Sequence, residues 1–174
     1  MYRSVVVHEL SDNFSNISVE TFERQDLQPD ELRIKVKSAS VNFPDLLMTA
    51  GLYQYKPEVP FTLGMESSGI VIEKGIGVEN FEINDEVIVS SFTGSFSEEL
   101  CVDKIKVRKK PQGLTWEQAS TYTVAYLTAY VSLVTKGNLR SGETLLVHGA
   151  AGGVGLAAVR SEEHTSELQS PVTI

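Results

Sequence analysis

The strongest constraint in this sequence lies at Gly149-Ala150-Ala151-Gly152-Gly153-Val154-Gly155. An apolar, strand-like run from Thr144 to His148 leads into it, and the apolar run Leu156-Ala157-Ala158-Val159 follows. Strand, glycine-rich turn and helix in immediate succession point to an α/β unit with a parallel sheet. Read from Ala150 the spacing is A-x-G-x-x-G, a dinucleotide fingerprint with alanine at the usual first glycine. Gly152 lets the backbone approach a pyrophosphate, and Gly155 lets the helix pack closely on the strand. The first helical N–H groups then point at the anion. Ala151, Gly152, Gly153, Val154 and Gly155 are therefore the candidate cofactor-binding residues of the turn. The second strand, whose end would read the ribose about twenty residues on, does not follow. From these residues alone the segment is the opening of a nucleotide-binding unit.

The rest of the chain has a different texture. Segments rich in β-branched residues run from Tyr2 to His8, Ile17 to Glu23, Glu31 to Val41, Gly69 to Glu73, Glu86 to Ser90 and Phe96 to Val102. Many short strands at this spacing predict a barrel or sandwich. Leu32 to Lys37 alternates strictly, which predicts one buried and one wet face, and Lys104 to Arg108 alternates again. Gly75-Ile76-Gly77 and Asn84-Asp85 supply turn chemistry. One early helix is expected, capped by Asn42, with Pro44 and Asp45 in its first turn and Gly51 at its end. After Pro111 the period changes. Thr115 is a candidate N-cap with Glu117 in the first turn, and the uncharged stretch Tyr122 to Val134 predicts a buried helix too short to span a bilayer.

Composition excludes several function classes. The 174 residues carry 15 Lys and Arg against 23 Asp and Glu, a formal net charge of -8, which opposes binding to phosphate backbones. The single cysteine, Cys101, rules out an internal disulfide and a cysteine-built structural zinc site. No apolar run is long enough for a membrane span, and the amino terminus lacks the features of a signal peptide, so the expectation is a soluble cytoplasmic protein. From Arg160 onward periodicity is lost. Arg160 to Ser170 matches the in-frame translation of a widely used sequencing adapter, so residues 160–174 are expected to be a non-native tail after which the true protein continues.

Taken in order, several stretches resemble the medium-chain dehydrogenase/reductase superfamily. They are Ser40-Val41-Asn42-Phe43-Pro44-Asp45, Gly51-Leu52-Tyr53, Gly64-Met65-Glu66-Ser67-Ser68-Gly69-Ile70-Val71, Gly75 to Val78, Asn84 to Val87, and the turn Gly149 to Gly155. The resemblance implies a β-rich GroES-like barrel domain over residues 1–120. Residues 121–159 would then hold a connecting helix and the truncated start of an α/β Rossmann domain. Zinc-dependent members carry a cysteine where this chain has Asn42 and a histidine where it has Met65, and neither replacement is a zinc ligand. The likeness is therefore to the zinc-independent quinone oxidoreductases, the zeta-crystallin-like group. It implies NADPH, no metal, a small-molecule quinone or α,β-unsaturated carbonyl as acceptor, and relatives that are homo-oligomers.

By position in that family, Asn42, Asp45 and Tyr53 are the candidate catalytic residues, with Asn42 and Thr128 also near the cofactor. Each has a plainer alternative. Asn42 can cap its helix, Asp45 can be a first-turn carboxylate, Tyr53 a rim aromatic, and Thr128 a hydroxyl bonded to its own helix. Glu66 reads as structural and His148 as packing at a strand end. The functional expectation is a fragment of an NADPH-dependent reductase, inactive as this chain. The alternatives are a non-catalytic GroES-like binding module and a 2-enoyl thioester reductase.

Overall fold

The structure is a computed structural model and describes residues 1–163; the expectation for the tail beyond Glu163 lies outside the described residues. The chain divides into two compact units, one spanning Met1–Thr121 and one beginning at Tyr122.

The first unit holds eight strands: β1 (Tyr2–Val7), β2 (Ile17–Phe22), β3 (Glu31–Ser40), β4 (Phe61–Thr62), β5 (Glu66–Lys74), β6 (Glu86–Ser90), β7 (Glu99–Asp103) and β8 (Val107–Lys109). They form an antiparallel three-stranded sheet in the order β2-β1-β4 and an antiparallel five-stranded sheet in the order β7-β3-β5-β6-β8. Inward residues of the larger sheet, among them Leu32, Ile34, Val71, Val87, Val89 and Leu100, make one apolar cluster with Val78 and Phe81. The alternation seen in the sequence therefore sets which face is the core.

That alternation misleads at Arg33, expected on the wet face but only 2% exposed. In register it sits between Glu73 on β5 and Cys101 on β7. Its Nε donates to Glu73 Oε2 at 2.7 Å, one terminal nitrogen approaches Cys101 Sγ at 3.0 Å, and the other donates to the Gln25 carbonyl. The approach to β3 thus covers the outer face, and the guanidinium supplies the donors that make its burial tolerable.

Lys104 to Arg108, expected as a strand, is split. Asp103 accepts the Ile105 N–H at 2.9 Å and winds Lys104–Lys106 into a single 3₁₀ turn before β8 begins. Two helices belong to this unit, α1 (Phe43–Thr49) and α2 (Trp116–Ser120). Thr115 and Gln118 form a reciprocal capping box at the start of α2. The helix is tied to the large sheet through Ser68 Oγ, which donates to the Trp116 carbonyl at 2.6 Å, and through a 2.9 Å contact between the Ser38 and Ser120 hydroxyls.

The second unit begins with α3 (Tyr122–Tyr130) and continues through a π-helical stretch at Val131–Lys136; the last described element is α4 (Gly153–Glu163). The helix expected to be buried is largely exposed. Leu127, Tyr130 and Val134 face solvent, and only the side carrying Ala125, Ala129 and Leu133 packs against Ala157 and Ala158 of α4. An all-round apolar helix needs cover on every side, and α4 supplies one. Thr144–His148, expected as a strand, has no ladder among the described residues. A strand exists only through its neighbours, and this segment pairs with none. His148 is accordingly exposed rather than packed. Helix α4 also runs past Val159, where the loss of apolar pattern predicted a break; intrahelical bonds do not require that pattern.

Candidate functional site

The register of β3 against β5 builds the core of the site. Ser40, the last residue of β3, lies opposite Glu66, the first of β5. Glu66 is 1% exposed, and its Oε1 accepts the Ser40 hydroxyl at 2.6 Å. Two residues after Ser40, Asn42 turns the chain into α1. Its Nδ2 lies 3.0 Å from Ser40 Oγ and 3.1 Å from Glu66 Oε1. A buried carboxylate is thus hydrogen-bonded to a serine and an asparagine that reach it from the end of the neighbouring strand.

Helix α1 is closed from within. Asp45 Oδ2 accepts the Asn42 N–H at 2.8 Å, the return half of a capping box. Pro44 sits in the first turn, and Gly51 follows the last turn with a φ of +68°. Asp45 is buried, and burial pushes its carboxyl above the usual aspartate range. The N–H groups of Asn42, Gly64 and Met65 act in the opposite sense. Tyr53 follows the helix and is half-buried, its backbone N–H bonded to the Leu47 carbonyl at 3.3 Å. The structure therefore brings Asn42 and Asp45 together through the first turn of α1, and hangs Tyr53 from the end of the same helix.

The thioether of Met65 is buried. At Asn42 and Met65 an amide nitrogen already bonded to the protein and a soft thioether offer no zinc-ligand set. Among the described residues, no three His, Cys, Asp or Glu side chains converge on a point where a metal could sit.

The second unit holds the other expected residues. Gly149 has a φ of +71°, and its carbonyl accepts the Gly152 N–H at 3.0 Å, which turns the chain into α4. A Cβ at Gly155 would meet the Gly149 oxygen at 2.3 Å, whereas one at Gly153 would meet nothing within 4 Å. Gly155 is thus demanded by backbone packing, and Gly153 borders open space into which a ligand can come close. The N–H of Leu156 is satisfied by the Gly152 carbonyl, while those of the first turn before it have no intrahelical acceptor. Ala151, Gly152 and Val154 are exposed around this turn. These features fit a dinucleotide pyrophosphate. Thr128 lies on the exposed side of α3.

Comparison with known proteins places this geometry. The alcohol dehydrogenase GroES-like domain matches residues 28–133, more than half of the chain. The chain belongs to the medium-chain dehydrogenase/reductase superfamily. It is 41% identical over 132 residues to the human synaptic vesicle membrane protein VAT-1 homolog, covering 76% of this chain and 34% of that protein. The quinone oxidoreductase-like protein 2 homolog of Nematostella vectensis is 38% identical over 159 residues, 91% of this chain and 43% of its own length. The structure of Escherichia coli quinone oxidoreductase complexed with NADPH matches with a TM-score of 0.84 at 28% identity, over 95% of this chain and 51% of that one. The chain thus spans less than half the length of the two curated relatives. The β-rich unit is the family's GroES-like domain, as the sequence motifs implied. Among the described residues no helix is long and apolar enough to cross a membrane.

Sequence reading missed the link between Ser40, Glu66 and Asn42. Glu66 read as structural, and Ser40 carried no signal of its own. Only the strand register, which sets residues 26 positions apart face to face, reveals it.

Proposed function

We propose that residues 1–159 form the amino-terminal part of a zinc-independent, NADPH-dependent reductase that delivers hydride to a quinone or an α,β-unsaturated carbonyl. The observation that carries this reading is the chemistry at Asn42 and Met65, an anchored amide and a thioether where a Lewis-acid site would need zinc ligands. A conjugated acceptor does not require that Lewis acid, because the incoming charge spreads along its own π system toward oxygen. The quinone oxidoreductases among the relatives support the same substrate class.

NADPH, when bound, supplies the hydride. The chain's residues bind and orient. The first-turn N–H groups of α4, from Gly153 to Gly155, hold the pyrophosphate, with Ala151 and Gly152 shaping its approach. Asn42 presents its amide to the reacting region, and Thr128 is assigned to the cofactor. Tyr53 donates a hydrogen bond to the acceptor oxygen as negative charge develops there. Asp45 contributes through the helix that it closes, and the proton that completes reduction comes from solvent.

The test is NADPH oxidation by the full-length protein that carries this segment, with 1,4-benzoquinone, a cyclic enone and an enoyl thioester in parallel. Turnover of the first two is expected. Turnover of the thioester alone would move the acceptor class, and NADPH binding with no turnover of any acceptor would leave a binding module in place of an enzyme.

A further inference from the structure

Tyr53, the proposed donor to the acceptor oxygen, is held on one side by α1, through the 3.3 Å bond from its N–H to the Leu47 carbonyl. Beyond it the chain runs without helix or strand until β4 begins at Phe61. Among the described residues, residues 54–60 make no hydrogen bond and no ion pair. What ties this segment to the sheets is a ring stack. Tyr55 lies on Phe92 with ring centroids 4.6 Å apart and planes 25° from parallel.

Phe92 is the fixed partner of the two. The Ser91 N–H donates to the Met65 carbonyl at 2.8 Å and the Gly94 N–H to the Thr62 carbonyl at 2.9 Å, so the backbone is anchored on both sides of that ring. Ser90, two residues earlier, faces Glu66 across the β5–β6 ladder, and Glu66 Oε1 lies 3.1 Å from the Asn42 amide nitrogen. The ring therefore stands at the strand end that carries the Ser40–Glu66–Asn42 cluster. Two residues of chain span at most about 7 Å, so a held Tyr55 confines Tyr53 to the same neighbourhood. Core packing does not account for the pair, since Tyr55 is 41% and Phe92 48% exposed.

We propose that Tyr55 and Phe92 form an aromatic latch, two positioning residues that hold the segment after α1 so that Tyr53 stays within reach of the acceptor oxygen. The acceptor rests on the reductase reading; the latch does not. Stacking uses ring faces, so the Tyr55 hydroxyl is dispensable while a ring at each position is required.

Glu58 lies three residues beyond Tyr55 in the same unbonded segment and offers a site to a glutamate-specific protease. Cleavage before Val59, read by mass spectrometry as the 1–58 fragment in brief digests of the 174-residue chain, follows the open population of the segment. Phe92→Ala should speed it by about two- to tenfold, the worth of one aromatic pair, and Tyr55→Phe should not. Equal rates in the Phe92→Ala and unaltered chains would overturn the latch. Tyr55→Ala gives the same reading should Phe92→Ala misfold.

In the full-length protein the Tyr53 hydrogen bond strengthens as charge develops on the acceptor, so its misplacement lowers kcat more than it raises KM. Phe92→Ala is expected to lower quinone-dependent kcat about fivefold with KM within about twofold, and Tyr55→Phe to retain both. In a Tyr53→Phe background, Phe92→Ala should cost less than about twofold, because the latch acts through a hydroxyl that is already gone. Fully additive losses would overturn the assignment, because the rings would then act on the acceptor by themselves. If the unaltered full-length protein reduces no acceptor, the reductase reading falls and the positioning role with it, while the cleavage rates still decide whether the stack holds the segment.

Discussion

A methyl group on Gly155 would press on the Gly149 oxygen and the Ala150 Cα, backbone atoms that cannot swing aside, while Gly153 faces open space. The two positions therefore make different predictions. Gly155→Ala should distort the turn at a cost of about 1–3 kcal/mol, visible as lost α4 helicity without ligand. Gly153→Ala should leave the circular dichroism spectrum unchanged and still weaken NADPH binding, because its methyl occupies the space that the pyrophosphate needs. At Asp85 the relevant variable is pH. Its carboxylate accepts the Glu82 N–H at 2.9 Å and pairs with Lys109 at 3.1 Å, and these hold its pKa below the usual aspartate range. A depressed carboxylate adds stability above the unfolded-state pKa and loses it as pH falls through the folded value. Asp85→Asn should lower Tm at pH 7, and the gap should close below about pH 4 in thermal melts at stepped pH. Arg33 marks the limit of reading single residues. Its place in an alternating strand said exposed, and only the segment crossing over it, through the Gln25 carbonyl, says buried.

Elements were legible where their signals are local. Asn42, Pro44 and Gly51 mark α1 at both ends, and Thr115 marks α2, because caps and turns depend on residues a few positions apart. Thr115→Ala removes the side-chain acceptor for the Gln118 N–H and should cost about 1 kcal/mol by denaturant unfolding, with little change in m. Gln118→Ala in the same background should cost less than it does alone, since the box is reciprocal. Elements were illegible where they depend on distant partners. The two-residue β4 exists only because Phe61 and Thr62 meet Val7 and Val6 of β1. Thr144–His148 has a strand's composition and no ladder, and α3 has a buried helix's composition and one covered stripe.

The two units differ in how far they satisfy themselves. The apolar cluster of the first lies wholly within residues 1–121, and every strand of its two sheets lies there too. Residues 1–121 expressed alone should therefore melt cooperatively. The second unit leaves Leu127, Tyr130, Val134, Leu146 and Leu156 exposed, and apolar surface of that kind promotes association. The 174-residue chain should accordingly scatter light and bind an apolar dye more strongly than residues 1–121 at equal concentration. Equal behaviour of the two would show that the exposed side chains are harmless.

The sequence by itself determined the number and character of most strands, the caps of α1 and α2, the glycine turn and the family motifs, because each is written in residues that are neighbours or share one period. Tertiary structure alone decided that Arg33 is buried, that Thr144–His148 pairs with nothing described, and that Ser40 and Glu66 grip Asn42. Those outcomes depend on strand register and on which surfaces are covered, and both arise from contacts between residues far apart in the chain.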